Sequence, residues 1–183
     1  MKKKALMFGA VGLLMMGLSS MSIAQGTLAP NVDEKGNISF PADYHSTMLH
    51  LGSWFVPTGG ASGFHHVYTQ KESVEYFQQH GVFPDGAVLV KELLVSKGGD
   101  YTTGNGVHSA TGEYKQWFVM VKDSQNRFVD NPLWGEGWGW ALFKPNEQDK
   151  NLATDYKTDC LSCHVPAKDT DWIYTQAYPA LTQ

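Results

Sequence analysis

Hydrophobic and polar positions alternate along much of the chain in a way that predicts short β-strands separated by turns. Residues 87–96 form the clearest predicted strand, because Val and Leu dominate between two glycine-containing turns. Residues 71–80 instead place Val74 and Phe77 on one face of a helix, which Gly81 is predicted to end. Further strands are predicted at residues 51–56, 65–69, 114–122 and 135–143.

Consecutive strands joined by short turns favour an antiparallel sheet. The sequence therefore predicts an α+β, β-rich fold, with an antiparallel sheet of about four to five strands and short peripheral helices. The chain has no internal repeat, and its 183 residues suit one folded domain. Residues 98–106 are predicted as a long polar loop, and Thr170 is predicted to cap a short last helix.

Residues 1–24 have the pattern of a secretory signal peptide. A cluster of three lysines precedes an uncharged, mostly apolar run over residues 5–18, and Ser22-Ile23-Ala24 fits the small-x-small cleavage rule. The alternative is an uncleaved membrane anchor, but the apolar run is shorter than the roughly 20 residues that span a bilayer. We therefore predict export to the periplasm.

Cleavage would leave a flexible leader over residues 25–41 and a folded domain over residues 42–183. The full chain has 14 basic and 18 acidic residues, and cleavage removes three lysines, so the mature chain keeps 11 basic residues against 18 acidic ones. This acidic balance argues against a nucleic-acid partner and against binding to anionic membranes. No other segment is predicted to span a bilayer.

The two cysteines of the chain are Cys160 and Cys163, and residues 160–164 read Cys-Leu-Ser-Cys-His. This is the C-x-x-C-H pattern of haem c attachment. Two thiols reach the two vinyl groups at one edge of the porphyrin, and the adjacent imidazole lies under the iron. We predict one haem c, bound covalently through Cys160 and Cys163, with His164 as the metal ligand.

A C-x-x-C pair has two other common uses, a redox disulfide and a zinc site. A redox disulfide usually lies near the start of a βαβ unit, whereas this motif lies near the end of the chain. A zinc site would need further ligands, and the chain has no other cysteine.

The far side of the iron has no obvious ligand in the sequence. The residues after His164 contain neither Met nor His, so a sixth ligand would come from Met48, Met120 or an upstream histidine. We expect an open distal position, which favours small-molecule chemistry over electron transfer alone. The neighbours His65 and His66 are predicted to point to opposite faces of a strand.

Several stretches, in this order, resemble the cytochrome P-460 family and its cytochrome c′-beta relatives over roughly residues 42–181. They are FPDGAVLVKEL at residues 83–93, WFVMVKD at residues 117–123, and the haem motif followed by TDWIYTQAYPAL at residues 170–181. The resemblance implies that residues 42–183 form a P-460-like haem domain, a small antiparallel β-sheet protein that is usually a homodimer with a five-coordinate haem. Family enzymes oxidise hydroxylamine and carry a covalent link from a lysine to the porphyrin. The cytochrome c′-beta relatives lack this link and bind nitric oxide or similar diatomic gases.

Lys91 is the candidate for the cross-linking lysine that the resemblance implies. Alternation along the strand groups Lys91 with Leu89 and Leu93 on one face. An amine desolvated beside a haem would have a lowered pKa and would be more nucleophilic. The alternative is a lysine that reaches solvent from the edge of the sheet.

Glu113 and Glu136 are the candidate distal acid–base residues. Oxidation of hydroxylamine releases protons, and both carboxylates lie beside aromatic strands. The alternative for each is a solvated surface carboxylate. Arg127 has two interpretations as well, either as a partner of a haem propionate or as a surface residue at a hairpin end.

The leading prediction is a periplasmic monohaem cytochrome that oxidises hydroxylamine or nitric oxide at an open haem site. It would pass electrons to a redox partner protein. The first alternative is non-enzymatic binding of a diatomic gas. The second is simple electron transfer, which predicts a six-coordinate haem.

Overall fold

Six strands form the single antiparallel sheet of residues 28–182, the part of the chain that the computed structural model describes. This confirms the predicted α+β, β-rich class, with more strands than the about four to five expected from hydrophobic alternation. The strands are β1 (Leu49–Val56), β2 (Gly63–Thr69), β3 (Val88–Tyr101), β4 (Gly104–Lys122), β5 (Trp134–Gly135) and β6 (Trp138–Phe143). Their order across the sheet is β1-β2-β3-β4-β6-β5.

The helices are short and lie at the periphery of the sheet. They are α1 (Tyr44–Thr47), α2 (Lys71–His80), α3 (Tyr156–Asp159) and α4 (Leu161–His164), followed by 3₁₀ turns at Val165–Thr170, Thr175–Ala177 and Pro179–Leu181. Helix α2 has the predicted bounds and ends at Gly81, whose φ of 72° is the usual left-handed cap. Across residues 28–182, no helix is long and apolar enough to cross a membrane.

The predicted last helix after Thr170 is wrong. The 3₁₀ turn that reaches Thr170 is followed by Asp171 and Trp172, whose φ angles are 57° and 65°. Left-handed backbone at two consecutive positions cannot continue a right-handed helix. The chain therefore turns sharply at this point and continues in two further 3₁₀ turns.

The predicted polar loop over residues 98–106 is also wrong, because β3 and β4 continue through it as a long hairpin. Gly98 pairs with His108, and Tyr101 pairs with Gly104 at the end of the ladder. The backbone hydrogen bonds of a two-stranded ladder do not require apolar side chains. Because this segment is polar, the pattern of hydrophobic residues did not indicate a strand pair.

Residues 28–41, the described part of the predicted flexible leader, pack against the sheet. Ala29, Val32 and Ile38 are buried, and Val32 forms an isolated β-bridge with Ile38. The indole Nε1 of Trp134 donates a hydrogen bond of 2.8 Å to the carbonyl oxygen of Gly36. This segment therefore covers part of the core, while the predicted signal peptide lies outside the described residues.

Alternation along β3 separates two faces of the sheet. The front face carries Leu89 and is covered by α2 and by residues 156–182. The back face carries Val90 and is covered by residues 28–48. Both faces are therefore buried, and the side that a strand residue points to decides which core it enters.

Glu92 shows that the back face also holds a buried charge. Its carboxylate accepts hydrogen bonds from the hydroxyls of Tyr44 and Tyr68, and His45 Nε2 lies 2.9 Å from the same carboxylate. A buried carboxylate is tolerated when its lone pairs have partners such as these. The front face, in contrast, contains the cavity of the candidate site.

Candidate functional site

A cavity of about 240 Å³ lies between the front face of the sheet and the C-terminal segment. The strand wall contributes Leu89, Lys91, Phe118 and Met120, and these come from the two central strands. The opposite wall contains the C-x-x-C-H motif. The wall residues are mostly apolar, so a charged group without a partner is costly in this cavity.

Both cysteines and the histidine of the motif line this cavity. Helix α4 follows Cys160 directly, so one helical turn separates the two thiols and brings both to the same opening, as the spacing predicts. Neither cysteine forms a disulfide. Burial raises the pKa of the Cys160 thiol to about 11, and the neighbouring Asp159 carboxylate adds to this effect.

His164 is held by one hydrogen bond from its ring. Its Nδ1–H donates to the carbonyl oxygen of Trp172 at 2.7 Å. Because a carbonyl can only accept, this contact puts the proton on Nδ1 and leaves a lone pair on Nε2. Burial lowers the pKa of His164 and favours the neutral ring, which is the form that binds a metal.

Lys91 lines the same cavity as the motif. Its Nζ lies 4.2 Å from the centroid of the Phe118 ring. Burial lowers the pKa of Lys91 to about 8, although the nearby thiols of Cys163 and Cys160 act in the opposite direction. The amine is therefore neutral far more often than that of an ordinary surface lysine.

The residues of this site fit a haem. Two free thiols stand one helical turn apart, a neutral imidazole presents an unprotonated nitrogen, and an apolar cavity faces all three. The iron–porphyrin chemistry would come from the haem itself, whereas the chain supplies attachment, one axial ligand and the surrounding walls.

Comparison with known protein families also indicates a haem protein. The family model for cytochrome P460 matches residues 41–175. The chain belongs to the cytochrome P460 family. This membership implies a haem cofactor, and the matched segment includes the sheet, Lys91 and the whole C-x-x-C-H motif. The search of curated proteins found no match to the chain.

Within this cytochrome P460 fold, neither predicted distal carboxylate reaches the cavity. Glu113 is exposed on β4, and Glu136 is exposed in the tight turn between β5 and β6, where its φ is 58°. Neither residue lines the cavity, so the structure does not support a distal acid–base role for either. Among the described residues, Asp159 is the carboxylate that borders the cavity, on the same wall as the motif.

His65 and His66 point to opposite faces, as strand alternation predicts. His65 lines the cavity, stacks on Trp54 and places its Nε2 2.7 Å from the carbonyl oxygen of Ala61. His66 instead places Nδ1 2.5 Å from the hydroxyl of Ser53 on the other side. His65 is therefore the one upstream histidine among residues 28–182 that lines the cavity of this cytochrome.

Arg127 lies away from the cavity. Its guanidinium forms ion pairs with Asp85, in the loop before β3, and with Asp123, in the turn that follows β4, with N–O distances of 2.5 and 2.7 Å. These partners agree with the interpretation of Arg127 as a surface residue at the end of a hairpin. Arg127 does not line the cavity that contains the motif, so the structure gives no support to its interpretation as a partner of a haem propionate.

Three residues of the site were missed by sequence reasoning. They are Trp172, whose carbonyl binds His164, and the pair of Lys122 and Asp171, which holds the turn that presents this carbonyl. A signal did exist, because Lys122 follows an apolar run in β4 and has only 8% of its surface exposed. A buried lysine usually has an anionic partner, but the sequence does not say which carboxylate it is.

Proposed function

We propose that this cytochrome P460 family member carries one haem c, bound through Cys160 and Cys163 with His164 as axial ligand, and oxidises small neutral nitrogen species such as hydroxylamine or nitric oxide. The observation that carries this proposal is the position of Lys91, whose desolvated amine faces the same cavity as the motif. An exposed lysine would have no such relation to the cofactor.

The walls of the cavity favour a small substrate that carries no positive charge. Trp54, Leu93 and Phe118 contribute apolar surface, and the amine of Lys91 has no acidic partner within the cavity wall that β3 and β4 form. A cationic substrate would have to lose its hydration there and would meet the Lys91 amine without gaining an anionic partner from this wall. Hydroxylamine and nitric oxide are neutral, so they avoid this loss of hydration energy.

Lys91 is the residue that would join the porphyrin. A bond between Nζ and a porphyrin carbon replaces one N–H and one C–H, so two protons and two electrons leave. An oxidant of the peroxide class accepts them and forms water. The lowered pKa supplies the neutral amine that this bond formation needs.

Diatomic gas binding without turnover is the second candidate function. It is favoured by the absence of Glu113 and Glu136 from the cavity, because oxidation of hydroxylamine needs a group that accepts protons. Simple electron transfer is the third candidate. It is favoured by Met120 and His65, which both line the cavity and are both able to ligate iron.

Absorption spectra of the haem-loaded protein separate the three functions. The protein is produced in a host with haem c maturation and recorded oxidised, reduced, and reduced with carbon monoxide. A reduced Soret band far to the red of ordinary haem c supports the cross-link. An ordinary five-coordinate spectrum that responds to carbon monoxide favours gas binding, and a six-coordinate spectrum that does not respond favours electron transfer.

A pair of lysine variants makes this experiment specific. Lys91→Met should return the red-shifted band to the position of ordinary haem c. Lys115→Met is the matched control, because Lys115 lies on the neighbouring strand but donates to the carbonyls of Gly60 and Ser62 and does not line the cavity. A band that survives in Lys91→Met would contradict the proposal.

The predicted signal peptide supports a periplasmic location for the proposed activity, where a redox partner protein would accept the electrons. Fractionation of cells that express the full chain tests the location. Haem c should co-purify with the periplasmic fraction, and the chain found there should begin at Gln25.

A further inference from the structure

We propose that the ion pair of Lys122 and Asp171 positions the proximal histidine of this cytochrome. It does so by holding the strained turn whose carbonyl binds His164. The inference rests on the proposed role of His164 as axial ligand, but it does not depend on which substrate the protein uses.

The turn itself is unusual. Asp171 and Trp172 are consecutive and both have left-handed backbone, with φ angles of 57° and 65°. Bulky L side chains such as Trp rarely adopt this conformation, so the surroundings must hold it in place. The strain has a consequence at the haem site, because the carbonyl of Trp172 is the acceptor for His164 Nδ1–H at 2.7 Å.

Three separate parts of the fold hold Asp171. Lys122 at the end of β4 places Nζ 2.5 Å from Oδ1. The backbone N–H of Phe83 donates to Oδ2 at 3.1 Å, and Trp138 Nε1–H donates to the carbonyl oxygen of Asp171 at 3.0 Å. Asp171 is therefore held by the end of β4, by the loop after α2 and by β6. Because Trp172 is the next residue, these contacts also fix the position of its carbonyl.

The ion pair is buried. The side chains of Lys122 and Asp171 are only 10% and 9% exposed, and the ammonium of Lys122 lies 4.8 Å from the Trp138 ring. Removal of one partner from such a pair leaves a charge without compensation, which the structure relieves by moving the group toward water. For Asp171, such a movement would take the Trp172 carbonyl away from the histidine.

The hydrogen bond to His164 matters for the iron because it raises the basicity of the ligating ring. A histidine whose Nδ1–H is bound to a firm acceptor donates more electron density through Nε2. This strengthens the bond to iron and stabilises the ferric state. Loss of the hydrogen bond should therefore weaken the iron–histidine bond and raise the reduction potential.

The test uses the haem-loaded protein and two variants. Lys122→Met keeps most of the length of the side chain and removes its charge. Asp171→Asn removes the other charge but keeps an acceptor for Phe83, and Asn tolerates left-handed backbone. The readouts are the iron–histidine stretching band in the resonance Raman spectrum of the ferrous protein and the reduction potential.

We expect both variants to move the stretching band to lower frequency and to raise the potential, with the larger shift in Lys122→Met. Lys122→Arg should restore part of the wild-type values, because a cation remains. Arg127→Met is the control, since it breaks ion pairs to Asp85 and Asp123 near the same strand end but does not contact the turn. It should lower stability and leave the band in place.

Unchanged bands and potentials in Lys122→Met and Asp171→Asn would overturn the inference. Equal shifts in the Arg127→Met control would overturn it too, because they would show a general response to lost stability. Failure of the proposed function appears differently, in the wild-type protein itself, as the absence of haem that stays attached after denaturation.

Discussion

The amine of Lys91 lies over the ring of Phe118, with Nζ 4.2 Å from the ring centroid, and the two residues are direct partners in the β3–β4 ladder. Cross-strand partners on one face keep a fixed separation. The strand pair therefore sets the position of the amine in the cavity, while the aromatic face stabilises whatever fraction of it is protonated.

Phe118→Leu should reduce cross-linking of Lys91. Leu leaves part of the ring volume empty, so the amine gains freedom and spends less time at the porphyrin edge. The yield should fall by roughly 2–10-fold, as expected when a reacting group loses its orientation. Mass spectrometry of a tryptic digest measures the fraction of chains in which the Lys91 peptide and the motif peptide are joined through the haem.

Phe64→Leu is the control for this variant, because Phe64 belongs to β2 and packs against Phe55 outside the cavity. Its cross-linked fraction should equal that of the wild type. Equal losses in the two variants would show that Phe118 acts through general stability instead of through the position of Lys91.

The rate of cross-linking should depend on pH with a midpoint near 8. The neutral amine is the nucleophile, and burial lowers the pKa of Lys91 from 10.5 to about 8. Below this pKa the neutral fraction falls about tenfold for each pH unit, and above it the fraction is nearly constant. The rate, followed by the joined peptides after addition of peroxide, should rise up to about pH 8 and then level off.

An ordinary solvated lysine would behave differently. Its neutral fraction would keep rising up to its own pKa near 10.4. A rate that still increases about tenfold per unit above pH 8.5 would therefore contradict the desolvated position of Lys91.

Arg127→Met should lower stability at neutral pH and have less effect in acid. The guanidinium holds the pKa of Asp85 below its usual 3.8, chiefly through their hydrogen bond. The folded pKa is below the unfolded one, so the stabilisation is complete above pH 3.8 and is lost as the pH falls through the lower, folded value. Because about a third of each side chain is exposed, we expect a loss of only about 1 kcal/mol.

Urea unfolding at a series of pH values measures this effect. The free-energy difference between wild type and Arg127→Met should be constant from pH 7 to about pH 5 and shrink below about pH 3.8. Lys71→Met is the control, because its partner Glu75 is exposed and the pair lies on the surface of α2. A difference that grows in acid would show that Arg127 does not lower the pKa of Asp85 in the folded protein.

Sequence patterns predicted much of this structure where local signals are strong. The bounds of α2 follow from its apolar spacing and Gly81, and the facing of Leu89, Lys91 and Leu93 follows from alternation alone. The C-x-x-C-H motif needs no tertiary information, because its spacing already brings the thiols and the imidazole together.

The parts that were missed depend on contacts between distant segments. The hairpin over residues 98–106 is polar, so hydrophobicity says nothing about its pairing. Glu113 adjoins the aromatic strand in sequence, but the β3–β4 register shifts between Leu93 and Leu94, and the ladder beyond this irregularity is exposed. The hydrogen bond from His164 to the carbonyl oxygen of Trp172 depends on a turn in which Asp171 and Trp172 have left-handed backbone. No local sequence propensity predicts this conformation.

Gly52→Ala should loosen the C-terminal cover of the cavity. Gly52 in β1 has no room for a side chain, because a Cβ there would lie 1.9 Å from the carbonyl oxygen of Ala177. Backbone cannot move aside as a flexible side chain would, so residues 175–181 must shift as a unit. Tyr178 lies in this segment, lines the cavity and is 3% exposed, so the shift also opens that wall.

We expect Gly52→Ala to lose about 1–3 kcal/mol of unfolding free energy, the usual cost of overpacking. Gly60→Ala is the matched control, because a Cβ at Gly60 meets nothing within 4 Å. Urea unfolding measures the stability, and the rate of carbon monoxide binding to the reduced protein measures access to the cavity. Gly52→Ala should bind faster than wild type, whereas Gly60→Ala should match it. Wild-type stability and binding rate in Gly52→Ala would show that the C-terminal segment does not form this wall in solution.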